Sequence, residues 1–273
     1  MSPTTSSESD RLAARFAAWK RSGRRALIPY ITAGYPDRTA TAGLLAAFVR
    51  AGADVIELGV PFSDPVADGP TIQRSSQRAL EGGVTLPWVL ETLAAFRAHC
   101  DVPVVLFSYL NPILRLGEDR FIAEAVAAGA DGVLVTDLPL GADVALERTL
   151  ECSELALVRL IAPTTPAQRA AAIAARAQGF LYYIARTGVT GATAYIRDAL
   201  PAEIRALRAV ARVPIAVGFG ISTPAQAARL AGIADGVVVG SALIDALDRG
   251  GPHAAERLLR AMRTAMDTSS AAG

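Results

Sequence analysis

Eight short runs of apolar residues recur along the chain, and Ala-rich stretches separate them. We predict strands at Ala26–Thr32, Asp54–Leu58, Val102–Phe107, Gly132–Val135, Ala156–Ile161, Phe180–Ile184, Ile215–Val217 and Gly236–Val239. Each run is nearly continuous in apolar residues, which is typical of parallel strands covered on both faces. The stretches between them predict helices, among them Thr39–Ala51, Glu118–Ala128, Pro166–Gln178, Pro201–Ala211 and Ala254–Met266.

A short repeat supports a recurring strand–helix unit. The run Ala51-Gly52-Ala53-Asp54-Val55 returns at residues 128–133 and, with one insertion, at residues 231–237. Each copy reads as a helix end, a Gly turn and the start of a strand. We therefore predict an α/β protein, a (β/α)8 TIM barrel with an extra N-terminal helix. The alternative, a doubly wound sheet, would need fewer strands and usually a Gly-rich first turn, which is absent here.

Composition agrees with one large domain. The chain has 273 residues, is 52% hydrophobic and has a mean hydropathy of +0.33, so we expect residues 11–267 to form a single barrel domain. Residues 1–10 are rich in Ser and Thr without an apolar core segment, which predicts a disordered tail and not a secretion signal. No apolar run reaches the roughly 20 residues that cross a bilayer.

Charge and cysteine usage narrow the possible partners. A formal net charge of +1 gives no electrostatic reason to expect nucleic acid or a membrane as a partner. The two cysteines, Cys100 and Cys152, have neither metal-ligand spacing nor a disulfide framework, which fits a reducing compartment. We expect a soluble, cytoplasmic protein.

The segment from Ile56 to Gly69, IELGVPFSDPVADG, is the most informative motif. Glu57 ends a buried strand just where the chain enters a loop with Gly, Pro and two further acids, Asp64 and Asp68. A carboxyl group at that position is partly desolvated, which raises its pKa and suits it to proton transfer near neutral pH. The alternative is that Glu57 only caps the strand in an ion pair.

This segment resembles the signature of the tryptophan synthase alpha chain at every position, and the resemblance extends from about Phe16 to the last helix. It implies a lyase that cleaves indole-3-glycerol phosphate to indole and glyceraldehyde 3-phosphate. The glutamate matching Glu57 is the family's general acid/base, and the aspartate matching Asp68 holds the indole nitrogen. A family tyrosine close to the reacting glycerol matches Tyr182, although this residue is equally compatible with ordinary strand packing.

Three glycine clusters follow the last three predicted strands, at Gly188–Gly191, Gly218–Gly220 and Gly240-Ser241. Glycine lets backbone N–H groups approach an anion, and the late βα loops are the recurrent phosphate position of this fold. The resemblance agrees and places the glycerol phosphate at Gly191, Gly220, Gly240 and Ser241. The Gly218-Phe219-Gly220 run lacks the third glycine of a dinucleotide fingerprint, because Thr223 stands there.

The residues that are scarce limit the mechanism. Lys20 is the only lysine and lies in the N-terminal helical stretch, so no barrel lysine could form a Schiff base. His99 and His253 are the only histidines, and neither follows a strand, which argues against a zinc site or a Ser-His-Asp triad. A lyase made of these residues must let the substrate accept the electrons of the broken bond, as a C3-protonated indole can.

An apolar slot for indole is expected at the strand ends. Its candidate residues are Phe107, Tyr109, Leu134, Thr136, Leu160, Thr190 and Phe219. The chain departs from the family at Phe107, where relatives often have Leu, at Tyr30, where they often have Phe, and at Tyr35, which replaces a frequent acid. These departures affect the expected pocket shape and partner coupling, not the reaction.

The resemblance also implies a partner. The family docks on a beta chain that holds pyridoxal phosphate (PLP) and receives indole through a tunnel, as an α2β2 heterotetramer. The stretches Pro61–Gly69 and Tyr109–Leu116 are the candidates for that contact, with Asp64 and Pro65 in signalling. No cofactor is expected in this chain. Two alternatives remain from sequence: another barrel that acts on a phosphorylated sugar or prenyl group, and a non-catalytic subunit that only activates a beta chain.

Overall fold

The computed structural model describes residues 11–185, 198–218 and 220–271. Eight parallel strands close into a barrel in chain order: β1 (Ala26–Thr32), β2 (Ile56–Gly59), β3 (Val104–Ser108), β4 (Gly132–Val135), β5 (Ala156–Ile161), β6 (Leu181–Ile184), β7 (Ile215–Gly218) and β8 (Gly236–Val239). The predicted (β/α)8 barrel is thereby confirmed. The predicted disordered tail, residues 1–10, lies outside the described residues.

Helices connect the strands and surround the barrel. Their bounds are α1 (Arg11–Arg21), α2 (Ala40–Arg50), α3 (Pro70–Glu81), α4 (Leu86–Arg97), α5 (Leu110–Leu116), α6 (Glu118–Ala127), α7 (Val144–Glu151), α8 (Ala167–Arg176), α9 (Leu200–Arg208), α10 (Pro224–Ala231) and α11 (Ser241–Ala271). The last helix is kinked where Gly250 and Gly251 leave helical geometry before Pro252. The extra N-terminal helix that the sequence predicts is α1.

The repeated Ala-Gly-Ala-Asp run has a structural role at the amino ends of the strands. The carboxylates of Asp54, Asp131 and Asp235 accept backbone N–H groups from Leu27, Val104 and Ile215, at 2.9, 2.8 and 2.9 Å. Each aspartate also pairs with arginine, as in the 2.6 Å contact between Arg97 and Asp131. These bonds join β2 to β1, β4 to β3 and β8 to β7, and they stabilise the end of the barrel opposite the usual site.

Helix α1 closes that same end. Its buried side chains Leu12 and Phe16 pack into the barrel interior with Phe180, whose ring lies 5.7 Å from that of Phe16. A second, larger layer of apolar side chains lies between the strands and the outer helices. Because the amino end is filled, the carboxyl end is where the barrel can receive a ligand.

Within residues 11–185, 198–218 and 220–271, no helix has both the length and the apolar character needed to span a membrane.

Candidate active site

Side chains that point into the barrel converge at its carboxyl end. Along a strand, alternate residues face inward, so Glu57 faces the interior two residues after Val55, which belongs to the interior cluster. The same cluster contains Leu134 and Tyr182, with Phe107 and Leu160 packed against it. The structure therefore brings five of the predicted site residues to one end of the barrel.

Glu57 is a buried carboxyl group whose Oε1 atom has no hydrogen-bond partner among the described residues. Its side chain lies on β2 and the residue is 1% exposed. Among the described residues, none forms a hydrogen bond with its Oε1 atom or an ion pair with its carboxyl group, which argues against the alternative that Glu57 caps the strand in an ion pair. Burial raises its pKa to about 8, so Glu57 is mostly protonated at neutral pH and can donate a proton.

Asp68 lies in the loop after β2 and is held by Tyr109. The Tyr109 hydroxyl donates to Asp68 Oδ2 at 3.0 Å and accepts the backbone N–H of Ala67 at 3.0 Å. The Asp68 carbonyl accepts a 2.8 Å bond from Gln73 Nε2 in the first turn of α3. Burial raises the pKa of Asp68 to about 6, and the bond from Tyr109 opposes that rise. Asp68 is therefore mostly ionised at neutral pH.

The two acids lie near the same two tyrosines, Tyr182 and Tyr30. Burial raises the pKa of Tyr182 well above its ordinary value, and the neighbouring charges of Glu57 and Asp68 raise it further. Tyr30 is affected in the same way by burial, Asp68 and Glu57. Two tyrosines on different strands thus lie close to both carboxyl groups. The arrangement combines a proton donor, an ionised acid and phenolic hydroxyls in one buried region.

Two glycines make room for these tyrosines. A β-carbon on Gly59 would overlap the hydroxyl of Tyr30, and one on Gly218 would overlap that of Tyr182. Gly218 was predicted to belong to a phosphate-binding cluster, and Gly59 was not predicted to have a role in the site. The structure gives both glycines a packing role. The signal in the sequence was their inward-facing position, since Gly59 lies two residues after Glu57 on the same face of β2.

The aromatic wall is formed by two strands on either side of β2. The rings of Tyr30 and Phe107 meet edge to face, with centroids 5.2 Å apart. Tyr109, predicted only as a pocket residue, also has the polar contact with Asp68 described above. Its ring lies 5.1 Å from that of Phe62. Thr136 is half-buried at the end of β4. The remaining pocket residues, Thr190 and Phe219, lie outside the described residues.

The predicted phosphate residues are only partly described. Ser241 is the exposed first residue of α11, directly after β8, and Gly240 accepts the backbone N–H of Leu243 at 2.8 Å. Gly220 is exposed and has a left-handed φ of 76°. Gly191 lies outside the described residues. Gly220, Gly240 and Ser241 follow β7 and β8, at the same end of the barrel as Glu57.

The lysine and the two histidines lie far from the carboxyl end of the barrel. Lys20 is exposed near the end of α1, which closes the opposite end of the barrel, and His99 and His253 are exposed on or beside outer helices. In the part of the chain that the structure describes, no group of three or more His, Cys, Asp or Glu side chains could hold a metal ion. The described chemistry of the mouth therefore belongs to carboxyl and hydroxyl groups.

Comparisons with known proteins agree with one another. The family model described as "Tryptophan synthase alpha chain" matches residues 16–271. A protein of that name from Geobacter sulfurreducens is 48% identical over 239 residues, which cover 88% of this chain and 90% of the relative. One from Xanthomonas campestris pv. campestris is 51% identical over 267 residues, covering 94% and 97%.

Solved structures show the same likeness. Tryptophan synthase subunit alpha from Legionella pneumophila str. Paris is 38% identical, with a TM-score of 0.84 and coverage of 94% of this chain and 98% of that chain. A chain of Mycobacterium tuberculosis tryptophan synthase is 37% identical, with a TM-score of 0.87 and coverage of 94% and 98%.

Proposed function

This chain belongs to the tryptophan synthase alpha chain family, and we propose that Glu57, Asp68 and Tyr182 carry out the family's reaction in it. That reaction is the cleavage of indole-3-glycerol phosphate to indole and glyceraldehyde 3-phosphate in tryptophan biosynthesis. The chain is accordingly a lyase, the alpha subunit of tryptophan synthase. What is proposed here is the assignment of roles to its residues.

Glu57 acts first as a general acid and then as a general base. Its protonated carboxyl donates to C3 of the indole ring, which converts the ring into an indolenine that can accept an electron pair. The resulting carboxylate removes the proton of the adjacent glycerol hydroxyl, the carbon–carbon bond breaks, and its electrons enter the ring. One proton is given and one is taken, so the residue is restored when indole and the aldehyde are released.

Asp68 and Tyr182 assist this transfer. The Asp68 carboxylate accepts a hydrogen bond from the indole N1–H and stabilises the positive charge that develops on the protonated ring. The Tyr182 hydroxyl, close to both acids, positions the glycerol part of the substrate or the Glu57 carboxyl. Phe107, Tyr109, Leu134, Leu160, Thr190 and Phe219 form the proposed slot for the aromatic ring.

One observation supports this assignment most strongly. Glu57 is almost fully buried, and no described residue accepts from or donates to its Oε1 atom. An unpaired buried carboxyl costs stability, so its presence beside Asp68 and two tyrosines is best explained by use in a reaction. A phosphorylated-sugar isomerase would account for the glycines but not for this pair of acids.

We also propose that Gly191, Gly220, Gly240 and Ser241 hold the substrate phosphate. The start of α11 favours an anion because its first backbone N–H groups point out of the helix and its dipole is positive there. The left-handed φ of Gly220 is readily available to glycine alone and lets the backbone approach an anion closely.

The isolated chain is expected to release indole from indole-3-glycerol phosphate. Purified protein would be incubated with this substrate, and indole and glyceraldehyde 3-phosphate would be measured separately, in equal amounts if the reaction is the proposed cleavage. Binding of indolepropanol phosphate would be compared with that of glycerol phosphate, which should bind more weakly because it lacks the aromatic ring. Failure to form indole at any pH between 6 and 8 would contradict catalysis by this chain alone.

The family works with a beta chain and does not itself bind PLP. We propose an α2β2 complex in the cytoplasm, with PLP on the beta chain and no cofactor in this one. Two apolar side chains support a docking surface beside the mouth: Val66 in the loop before Asp68 is 84% exposed, and Leu114 on α5 is 46% exposed.

Adding the cognate beta chain is expected to raise the cleavage rate sharply, because docking on the Pro61–Gly69 loop would order the residues around Asp68. The rate of indole-3-glycerol phosphate cleavage would be measured as beta chain is titrated in, with bovine serum albumin as the control protein. Replacing the exposed Val66 by Asp should weaken the effect. A rate that does not respond to the beta chain would exclude the coupling.

A further inference from the structure

A chain of buried hydroxyl groups runs from the mouth of the barrel to helix α3. The Tyr30 hydroxyl lies 3.2 Å from Thr32 Oγ1, which lies 2.6 Å from Ser75 Oγ. Ser75 in turn donates to the backbone carbonyl of Ile72 at 2.8 Å. Thr32 and Ser75 are fully buried, and Tyr30 is 7% exposed.

The Ile72 carbonyl at the end of this row of hydroxyl groups determines which hydroxyl donates and which accepts in each hydrogen bond. A carbonyl oxygen can only accept, so the single proton of Ser75 points to Ile72. Ser75 must then accept from Thr32, and Thr32 must accept from Tyr30. Burial and the charges of Asp68 and Glu57 raise the pKa of Tyr30, so its hydroxyl keeps the proton that this order requires. The Tyr30 oxygen is left with acceptor capacity and no proton to donate to a further partner.

That oxygen lies near both acids, whose charges act on the Tyr30 hydroxyl. Tyr30 and Glu57 are direct partners in the pairing of β1 with β2, and both side chains face the barrel interior. The Tyr30 hydroxyl reaches over the backbone of Gly59, where a β-carbon would displace it. Among the described residues, Thr32 alone forms a hydrogen bond with this hydroxyl. The region beside Glu57 therefore contains an acceptor that is oriented by hydroxyl groups of Thr32 and Ser75.

We propose that Tyr30 is a substrate-binding residue whose oxygen accepts a hydrogen bond from the second hydroxyl of the substrate's three-carbon chain, the one that Glu57 does not deprotonate. This inference rests on the function proposed above, which assigns the indole N–H to Asp68 and leaves the glycerol hydroxyls as the donors near Glu57. When this hydroxyl donates to Tyr30, the neighbouring hydroxyl, on the carbon beside the ring, is held next to the Glu57 carboxyl that removes its proton. The three-residue chain thereby selects substrates that carry a donor at this position.

Replacing Tyr30 by Phe tests the proposal, because Phe keeps the ring against Phe107 and removes only the oxygen. The value of kcat/KM for indole-3-glycerol phosphate is expected to fall about tenfold, the usual effect of losing one hydrogen bond. The Kd of indolepropanol phosphate, whose chain carries neither of the two free hydroxyls, should stay within about twofold of the wild-type value. A general distortion of the site would weaken both ligands.

Thr32 provides a second variant that leaves Tyr30 intact. Thr32→Val removes the acceptor that orients the Tyr30 proton, so we expect a smaller fall in kcat/KM and again no change for indolepropanol phosphate. Thr32→Ser keeps the hydroxyl, so both kcat/KM for indole-3-glycerol phosphate and the Kd of indolepropanol phosphate should stay close to their wild-type values. Tyr35→Phe is the matched control, because it removes another buried tyrosine hydroxyl, one bonded to Asp248 and away from the two acids.

The outcomes separate this inference from the function on which it rests. If the wild-type chain does not cleave indole-3-glycerol phosphate, the proposed function fails and the comparison has no basis. Suppose that the wild type cleaves it and that Tyr30→Phe alters neither kcat/KM for the substrate nor the Kd of indolepropanol phosphate, or impairs both equally. The role proposed for Tyr30 is then wrong, while the proposed function stands. Circular dichroism and the melting temperature of each variant would verify that the barrel is intact.

Discussion

Glu57→Gln is expected to lower kcat for indole-3-glycerol phosphate cleavage by about 10³-fold or more, within the range of 10²–10⁴ typical of one positioned acid or base. The amide has nearly the shape of the protonated carboxyl but cannot release or take a proton, so both transfers at C3 and at the glycerol hydroxyl are lost. Since the pKa of Glu57 is about 8, the residue is already neutral at pH 7. The substitution should therefore leave folding and binding almost unchanged.

The measurement is single-turnover formation of indole, together with the Kd of indolepropanol phosphate and the melting temperature. Glu147 offers a matched control, because it is equally buried but is paired with Arg159 at 2.8 Å, between α7 and β5. Glu147→Gln should reduce stability by several kcal/mol, on the order of the cost of breaking a buried ion pair, and leave kcat nearly unchanged. A Glu57→Gln variant that turned over near the wild-type rate would show that another group moves the protons.

The fold was readable from the sequence because each strand is a separate apolar run. All eight strands were predicted, and where a boundary differs the observed strand begins or ends one to two residues later. Asp54 is an example, since its side chain bonds to Leu27 at the foot of β1 and the strand starts only at Ile56. Side-chain hydrogen bonds of this kind lie just before the backbone pairing of the strands begins. The pattern of hydrophobic residues does not show where they replace that pairing.

The two candidate acids were also accessible to sequence reasoning, because both occur in one motif at the end of one strand. The surroundings of the acids were not. Whether the Tyr30 hydroxyl reaches Gly59, or the Tyr109 hydroxyl reaches Asp68, depends on which residues of neighbouring strands and loops are brought to the same height in the closed barrel. Local patterns contain no such information, so Tyr109 was predicted as an apolar wall and Tyr30 only as a departure from the family.

Those surroundings give the two acids different protonation states. Glu57 has no described donor at its Oε1 atom and a pKa of about 8, whereas Asp68 receives the Tyr109 hydroxyl and has a pKa of about 6. Between these values Glu57 is mainly protonated and Asp68 mainly ionised, which is the combination that the proposed reaction requires. We therefore expect kcat/KM to rise with pH through about 6 and to fall above about 8.

Asp68→Asn tests this assignment and is expected to lower kcat by about 10²–10³-fold, the usual loss when one preorganised electrostatic partner of the transition state is removed. The Asn carbonyl can still accept the indole N–H, so binding should change less than kcat. Rates would be measured from pH 5 to pH 9. The fall above about pH 8 should remain in the variant, because it belongs to Glu57.

The rise of kcat/KM at acidic pH shows whether Asp68 must be ionised for the reaction. The substrate phosphate also ionises near pH 6, with a second pKa of about 6, but it does so identically with both enzymes. In the wild type, the ionisation of both Asp68 and the phosphate determines how kcat/KM rises with pH. In Asp68→Asn only the phosphate ionises in this range, so kcat/KM should rise less steeply. If the two rises had the same slope and midpoint, Asp68 would not need to be ionised, and the positive charge on the protonated ring would have to be stabilised by a group other than this carboxylate.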